Sequence, residues 1–233
     1  MYQHLLPIIG TYFYVNWPKH IRINSTLLYF LSIFHNTALA VFSGYTCMSL
    51  TRLLYNDGNQ FGHMIYLNNT YVTKYDNLIF WFYISKYYEY FDTILLYMQN
   101  KKPIFLQKYH HIGAVICWHL CYFYKVDAII IGSTLNSGIH TIMYTYYLLS
   151  LFKIRLSYLK PFITTGQIVQ LIFGNIYSIV YYYPPVEKWW NYSIIIFSNL
   201  YIVVLVYLFF QFYIDNYVNK KQLISKTTNI KNN

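Results

Sequence analysis

The sequence predicts an all-α membrane protein of seven transmembrane helices, and three observations predict it. Of its 233 residues, 57% are hydrophobic, 22% aromatic and only 10% charged, whereas a soluble domain carries about 25% charged residues. Charge-free runs extend from Ile23 to Thr51, Ala128 to Phe152, Pro161 to Val186 and Trp189 to Ile214, each beyond the ~20 residues that a helix needs to cross ~30 Å of hydrocarbon. The cations, finally, gather at alternate ends of the apolar segments, as they do where short loops face the cytosol.

Taken in order, the first segment, Met1 to Pro18, is short and apolar, and the second is the Ile23 to Thr51 run. The third, Asn77 to Gln99, is long enough but holds three charges, and the fourth, Ile104 to Tyr124, holds histidines. The runs from Ala128, Pro161 and Trp189 complete the seven. With this count one side collects Lys19, Arg22, Lys101, Lys102, Lys108, Lys153, Arg155, Lys160 and the lysines of the tail. The other carries only Arg52, Lys74, Lys125 and Lys188. The expected topology therefore has a lumenal N-terminus and a cytosolic C-terminus. Residues 1–218 form the membrane domain, and 219–233 a basic, polar cytosolic tail. The formal net charge of +10 becomes a cytosolic surface feature suited to phospholipid headgroups or a polyanionic substrate, and nothing suggests a nucleic-acid domain. The sequons at Asn68 and Asn191 fall on the lumenal side, and Cys117 and Cys121, one turn apart, read as packing thiols.

Chemistry is concentrated where polar residues interrupt these spans. In SKYYEYFDT, Lys86, Glu89 and Asp92 lie inside the third segment, where each charge costs ~2.5–3.5 kcal/mol unless it pairs, lines a wet cavity or acts. At ~100° per residue, Lys86, Glu89 and Thr93 share a face about 60° wide, with Asp92 about 60° further round. An ion pair between Lys86 and Glu89 that fixes helix register is one reading, and a wall of an aqueous chamber is the other. A second stripe, in NSGIHTIMYTYY, aligns Asn136, His140, Met143, Tyr144 and Tyr147; a third, in TTGQIVQ, aligns Thr164, Gln167 and Gln170. Several helices that turn polar residues inward describe a bundle around a cavity, which suits a transporter or an intramembrane enzyme.

Four blocks in order, KYYEYFDT, QKYHH, HTIMYTYY and TTGQIVQ, resemble the KxxExxDT, HxxHH, HxxMYxYY and TxxQxxQ boxes of the fatty acid elongase (ELO) family of the endoplasmic reticulum. Gln107 stands where that family usually has the first histidine of its box. The resemblance implies seven helices, six of them around a narrow substrate tunnel. It also implies condensation of a long-chain acyl-CoA with malonyl-CoA, releasing carbon dioxide and CoA, to a 3-oxoacyl-CoA two carbons longer. By resemblance His110 is the nucleophile, with His111 and His140 beside it to orient it or move protons. Asn136 and Tyr144 are candidate donors to an oxyanion. Lys86, Glu89, Asp92, Gln107, Gln167 and Gln170 support the polar chamber, with Gln107 expected to hold His110 or His111 in one tautomer. Lys101, Lys102, Lys108, Lys153, Arg155 and Lys160 gather at the cytosolic mouth, where CoA phosphates need cations. No redox cofactor and no metal are expected. The expected partners are the two CoA thioesters, membrane lipid, the reductases and dehydratase that complete the cycle, and a second copy in a homodimer as one option for the assembly. A catalytically silent lipid-binding or transporter-like protein is the alternative. A di-iron desaturase needs clustered histidine boxes, and His4, His20, His35 and His63 sit singly.

Overall fold

In a computed structural model that describes residues 4–19, 21, 23–57, 73–154, 156–179 and 189–219, the elements are helices, and no strand occurs among the described residues. They are α1 (Leu5–Val15), α2 (Ser25–Asp57), α3 (Thr73–Tyr88), α4 (Tyr90–Met98), α5 (Phe105–Phe123), α6 (Ala128–Leu151), α7 (Leu159–Ile179) and α8 (Trp189–Tyr213), the last continued by a π-helical turn, Ile214–Asn219. Arg155, the sequon at Asn68, the cations Arg22 and Lys188 and the tail beyond 219 lie outside the described residues.

The third apolar segment forms two consecutive helices, α3 and α4, parted at Glu89. At Glu89 the ladder tightens: its amide still bonds the Ser85 carbonyl at 2.9 Å, while the Asp92 amide bonds the Glu89 carbonyl at 3.1 Å. An i→i+3 bond of that kind narrows one turn and re-aims the side chains beyond it. The first segment is shorter than expected. Asn16 caps α1 ahead of Pro18, and its 11 residues cover about 17 Å, roughly half the hydrocarbon thickness.

Three helices end in the same way. Asn100, Lys125 and Lys153 take left-handed φ values of 55°, 53° and 62°. The amides that follow reach back to Leu96 (2.8 Å), Cys121 (2.9 Å) and Leu149 (3.2 Å). These are the 6→1 bonds of Schellman caps, which satisfy carbonyls that lipid could not solvate.

Neighbour relations close a ring. α2 packs on α6, α6 on α7, α7 on α8, α8 on α5, α5 on α3, and α3 returns to α2. α1 stands outside and docks on α5 through a bond of 3.0 Å between His4 Nδ1 and His119 Nε2. Burial is inverted relative to a soluble protein. Phe34, Met48 and Phe162 are 68–70% exposed, while Lys86, Glu89 and His140 are at most 3% exposed. A ring with apolar walls outward and charge inward is stable only in lipid, and the chain is a membrane protein. Two helical stretches, Ser25–Asn56 and Trp190–Asn219, are both long and apolar enough to span by composition. Helices α5, α6 and α7 each turn polar residues toward the centre, among them His110 and His111, His140, and Thr164 and Gln167.

Candidate active site

The two carboxylates of the third path serve separate hubs. Lys86 Nζ donates to Glu89 Oε1 at 2.6 Å and to Asn136 Oδ1 at 2.8 Å, and lies 4.1 Å from the Phe82 ring centroid and 5.4 Å from that of Trp118. His140 Nδ1 approaches Glu89 Oε1 to 3.3 Å, off the hydrogen-bond direction, and its Nε2 is 3.3 Å from the Asn136 amide nitrogen. The buried ammonium is thus balanced by one carboxylate, an amide oxygen and two aromatic faces, the condition under which such a charge is tolerated.

Asp92, further round the helix, holds the second hub. Its Oδ1 contacts His35 Nε2 at 2.8 Å, its Oδ2 accepts the Tyr144 hydroxyl at 2.7 Å, and His111 Nε2 lies 4.0 Å away. His35, one of the histidines that sit singly in the sequence, is 1% exposed, with its Nε2 on Asp92 and its Nδ1 buried without a hydrogen-bond partner. The rule that flags Lys86 applies equally to an imidazole midway along the Ile23 to Thr51 run. Tyr144 spends its only proton on Asp92, so Asn136, whose amide carries two, is the better oxyanion donor of the expected pair.

On α5 the rings of His110 and His111 stack with centroids 5.5 Å apart, and His110 meets His140 edge to face at 6.3 Å. The Gln107 amide donates to Thr93 Oγ1 at 3.2 Å, and Thr93 also bonds the Tyr14 hydroxyl at 3.0 Å. Gln107 therefore ties α5 to α4 and α1 rather than fixing a histidine tautomer. That task falls to Tyr201 of α8, which the sequence hides among 30 tyrosines. Its hydroxyl donates to the His110 carbonyl at 2.9 Å and lies 3.4 Å from His110 Nδ1. With its proton already used, the oxygen faces Nδ1 as an acceptor, which places the ring proton on Nδ1 and leaves the Nε2 lone pair free. Gly113 makes this possible: a Cβ there would stand 1.9 Å from the Tyr201 ring.

Two cavities meet at His110. The larger, about 570 Å³, is walled by Asp92, Gln107, His110, His111, His140, Tyr144 and Gln167 and reaches Lys101, Lys160 and Tyr217 at one end. The smaller, about 110 Å³, runs the other way between α5, α6, α7 and α8 past Asn136, Gln170, Cys117 and Cys121 to Val126 and Ile195. Two of the expected mouth cations, Lys101 and Lys160, line the larger cavity, whereas Lys102 and Lys153 are exposed outside it and Lys108 is half-buried away from it. The third polar stripe splits, with Thr164 and Gln167 in the large cavity and Gln170 in the small one. Cys117 and Cys121 line the slot as well as packing against their neighbours.

Comparison with known proteins gives the same frame. Residues 2–224 match the model of the ELO (GNS1/SUR4) family. Very long chain fatty acid elongase 5 of Tachysurus fulvidraco is 32% identical over 196 residues, 81% of this chain and 65% of its own length. Elongase 2 of Mus musculus is 34% identical over 148 residues, 61% and 50% respectively. A putative fatty acid elongase of Dictyostelium discoideum is 29% identical over 212 residues, 86% and 70%. The chain spans about half to two thirds of the length of the first of these relatives.

Proposed function

The chain belongs to the ELO (GNS1/SUR4) family of fatty acid elongases, and on that premise we propose that it condenses a long-chain acyl-CoA with malonyl-CoA in the endoplasmic reticulum membrane. The Nε2 lone pair of His110 attacks the thioester carbonyl, the C–S bond breaks, and the departing thiolate takes up a proton to leave as CoA. Malonyl-CoA then loses carbon dioxide, and the electron pair of the broken C–C bond attacks the acyl-imidazole carbonyl. Collapse returns His110 and releases a 3-oxoacyl-CoA two carbons longer. The second amide hydrogen of Asn136 and the rings of His111 and His140 face the developing charge. Both electrons of the new bond come from malonyl-CoA, so this sequence of steps uses no redox cofactor.

The observation that supports this reading is the position of His110 at the junction of the two cavities. One cavity leads to lysines suited to the phosphates of CoA, and the other is an apolar slot suited to an acyl tail. Its product carries a 3-oxo group, which reductases and a dehydratase must remove before another round. The test is condensation by membranes containing the protein, supplied with octadecanoyl-CoA and malonyl-CoA labelled at C2. Labelled 3-oxoacyl-CoA should form, and His110→Ala should cut it at least about a thousandfold. No product from the wild-type chain, with binding of acyl-CoA retained, would leave the silent lipid-binding reading in its place.

A further inference from the structure

The glycines of the ring helices divide into two kinds. At Gly113 a Cβ would collide with the Tyr201 ring, at Gly166 it would press on Ile139 at 3.0 Å, and at Gly138 it would touch Cys47 at 3.4 Å. Those glycines let helices approach. Gly132 and Gly174 differ, because a Cβ at either meets nothing within 4 Å, and both line the smaller cavity. Packing does not require a glycine at either place, and glycine weakens a helix interior. What the missing side chains provide is cross-section in the slot.

Their depth gives that cross-section a meaning. Gly132 lies one turn beyond Asn136 and two beyond His140 on α6, about 6 Å and 12 Å along the axis, and Gly174 lies one turn, about 6 Å, beyond Gln170 on α7. Adjacent helices of the ring therefore each leave a gap below the level where the slot begins. The space continues beyond them to Val126 and Ile195.

We propose that Gly132 and Gly174 determine which acyl chains the site accepts, holding the slot open at a fixed depth so that long tails pass and reach its far end. This rests on the condensing function proposed above. An octadecanoyl chain is more than twice as long as an octanoyl chain, so it uses the depth beyond Gly132, about 12 Å along α6 from the level of His140, far more than the short chain does. A side chain at either position starts into free space, since its Cβ meets nothing within 4 Å, and a leucine there narrows the passage.

The test compares octanoyl-CoA and octadecanoyl-CoA as acceptors for the full chain in membranes, with Gly132→Leu, Gly174→Leu and the corresponding alanine variants. The ratio of kcat/KM for the long over the short acceptor should fall at least tenfold in each leucine variant, and by less with alanine. An unchanged ratio, including equal loss on both acceptors, overturns the proposal. Thermal stabilisation of the purified protein by each acyl-CoA is measured in parallel. In the leucine variants the long ligand should lose more of its stabilising shift than the short one, and equal shifts for wild type and variants overturn the proposal even where turnover is absent. A wild-type chain that condenses neither acceptor but shows this length-selective binding would refute the condensing function and leave the glycines as determinants of tail length.

Discussion

At the scale of single residues, Tyr201 and Asp127 carry most of what the motifs leave out. The Tyr201 hydroxyl, which donates to the His110 carbonyl, holds the His110 proton on Nδ1. Tyr201→Phe keeps the ring that packs over Gly113 and removes only the oxygen, so condensation should fall roughly 10- to 100-fold, about 1.4–2.8 kcal/mol, in kcat far more than in KM. A kcat within twofold of wild type would reduce Tyr201 to packing. Asp127 sits in the turn between α5 and α6, where its Oδ1 is buried without a partner. Burial pushes its carboxyl up from the usual carboxylate range to about 7. Between the unfolded and folded values the native state holds a proton that the unfolded chain has released, so stability falls as pH rises through that window and stays low above it. Asp127→Asn removes the ionisation. The variant should match wild type near pH 4 and melt higher at pH 8, and a stability difference that does not vary with pH would show that the carboxyl is not ionising at cost. Neither residue was legible in the sequence. Tyr201 lies 91 positions from its partner, and Asp127 gives no sign of burial by its spacing.

At the scale of elements, the path from α3 to α4 shows what helical periodicity reveals and what it withholds. The angular separation of Lys86 and Glu89 from Asp92 was legible, and the structure assigns the two groups to different hubs. The partners were only half legible, since the stripe in α6 was visible but not which carboxylate meets His140 and which meets Tyr144. His35 was overlooked because it lies alone in an apolar run, and solitude in sequence says nothing about company in a bundle. The Lys86–Glu89 pair is dry, with both members at most 2% exposed. Removing one partner strands the other charge, so Lys86→Met or Glu89→Gln should each cost about 3–5 kcal/mol of stability, and the double variant should recover part of it. Melting in one detergent at one pH measures this, and strictly additive losses would mean the two charges do not stabilise each other. Activity should stay low in the double variant, because Glu89 also faces His140 and Lys86 also holds Asn136.

At the scale of the whole molecule, the order of helices around the ring could not be read from the sequence. α5 lies against α8, some 80 residues later, and α2 against α6; chain order gives no clue to either pairing, because short loops fix only successive neighbours. The polar stripes did reveal which faces turn inward to the cavity, and the alternation of cations implied a direction through the membrane. The structure adds a functional sense to that direction. Lys101 and Lys160 lie where the larger cavity opens, while Lys125 lies at the opposite end of α5 beside Asp76. If substrates bearing CoA arrive from the cytosol, the cavity mouth must face it, and the excess of lysine on that side supplies the orienting signal during insertion. In sealed microsomes, single cysteines introduced at Lys101 and at Lys125 in a chain with Cys47, Cys117 and Cys121 replaced should therefore behave differently toward a membrane-impermeant maleimide. The cysteine at 101 should react at once, and the cysteine at 125 only after the membrane is permeabilised. The reverse pattern would place the mouth in the lumen and separate the site from cytosolic thioesters. Equal reaction of both in sealed vesicles would mean that α5 does not cross the bilayer, and the two ends of the site would then face the same compartment.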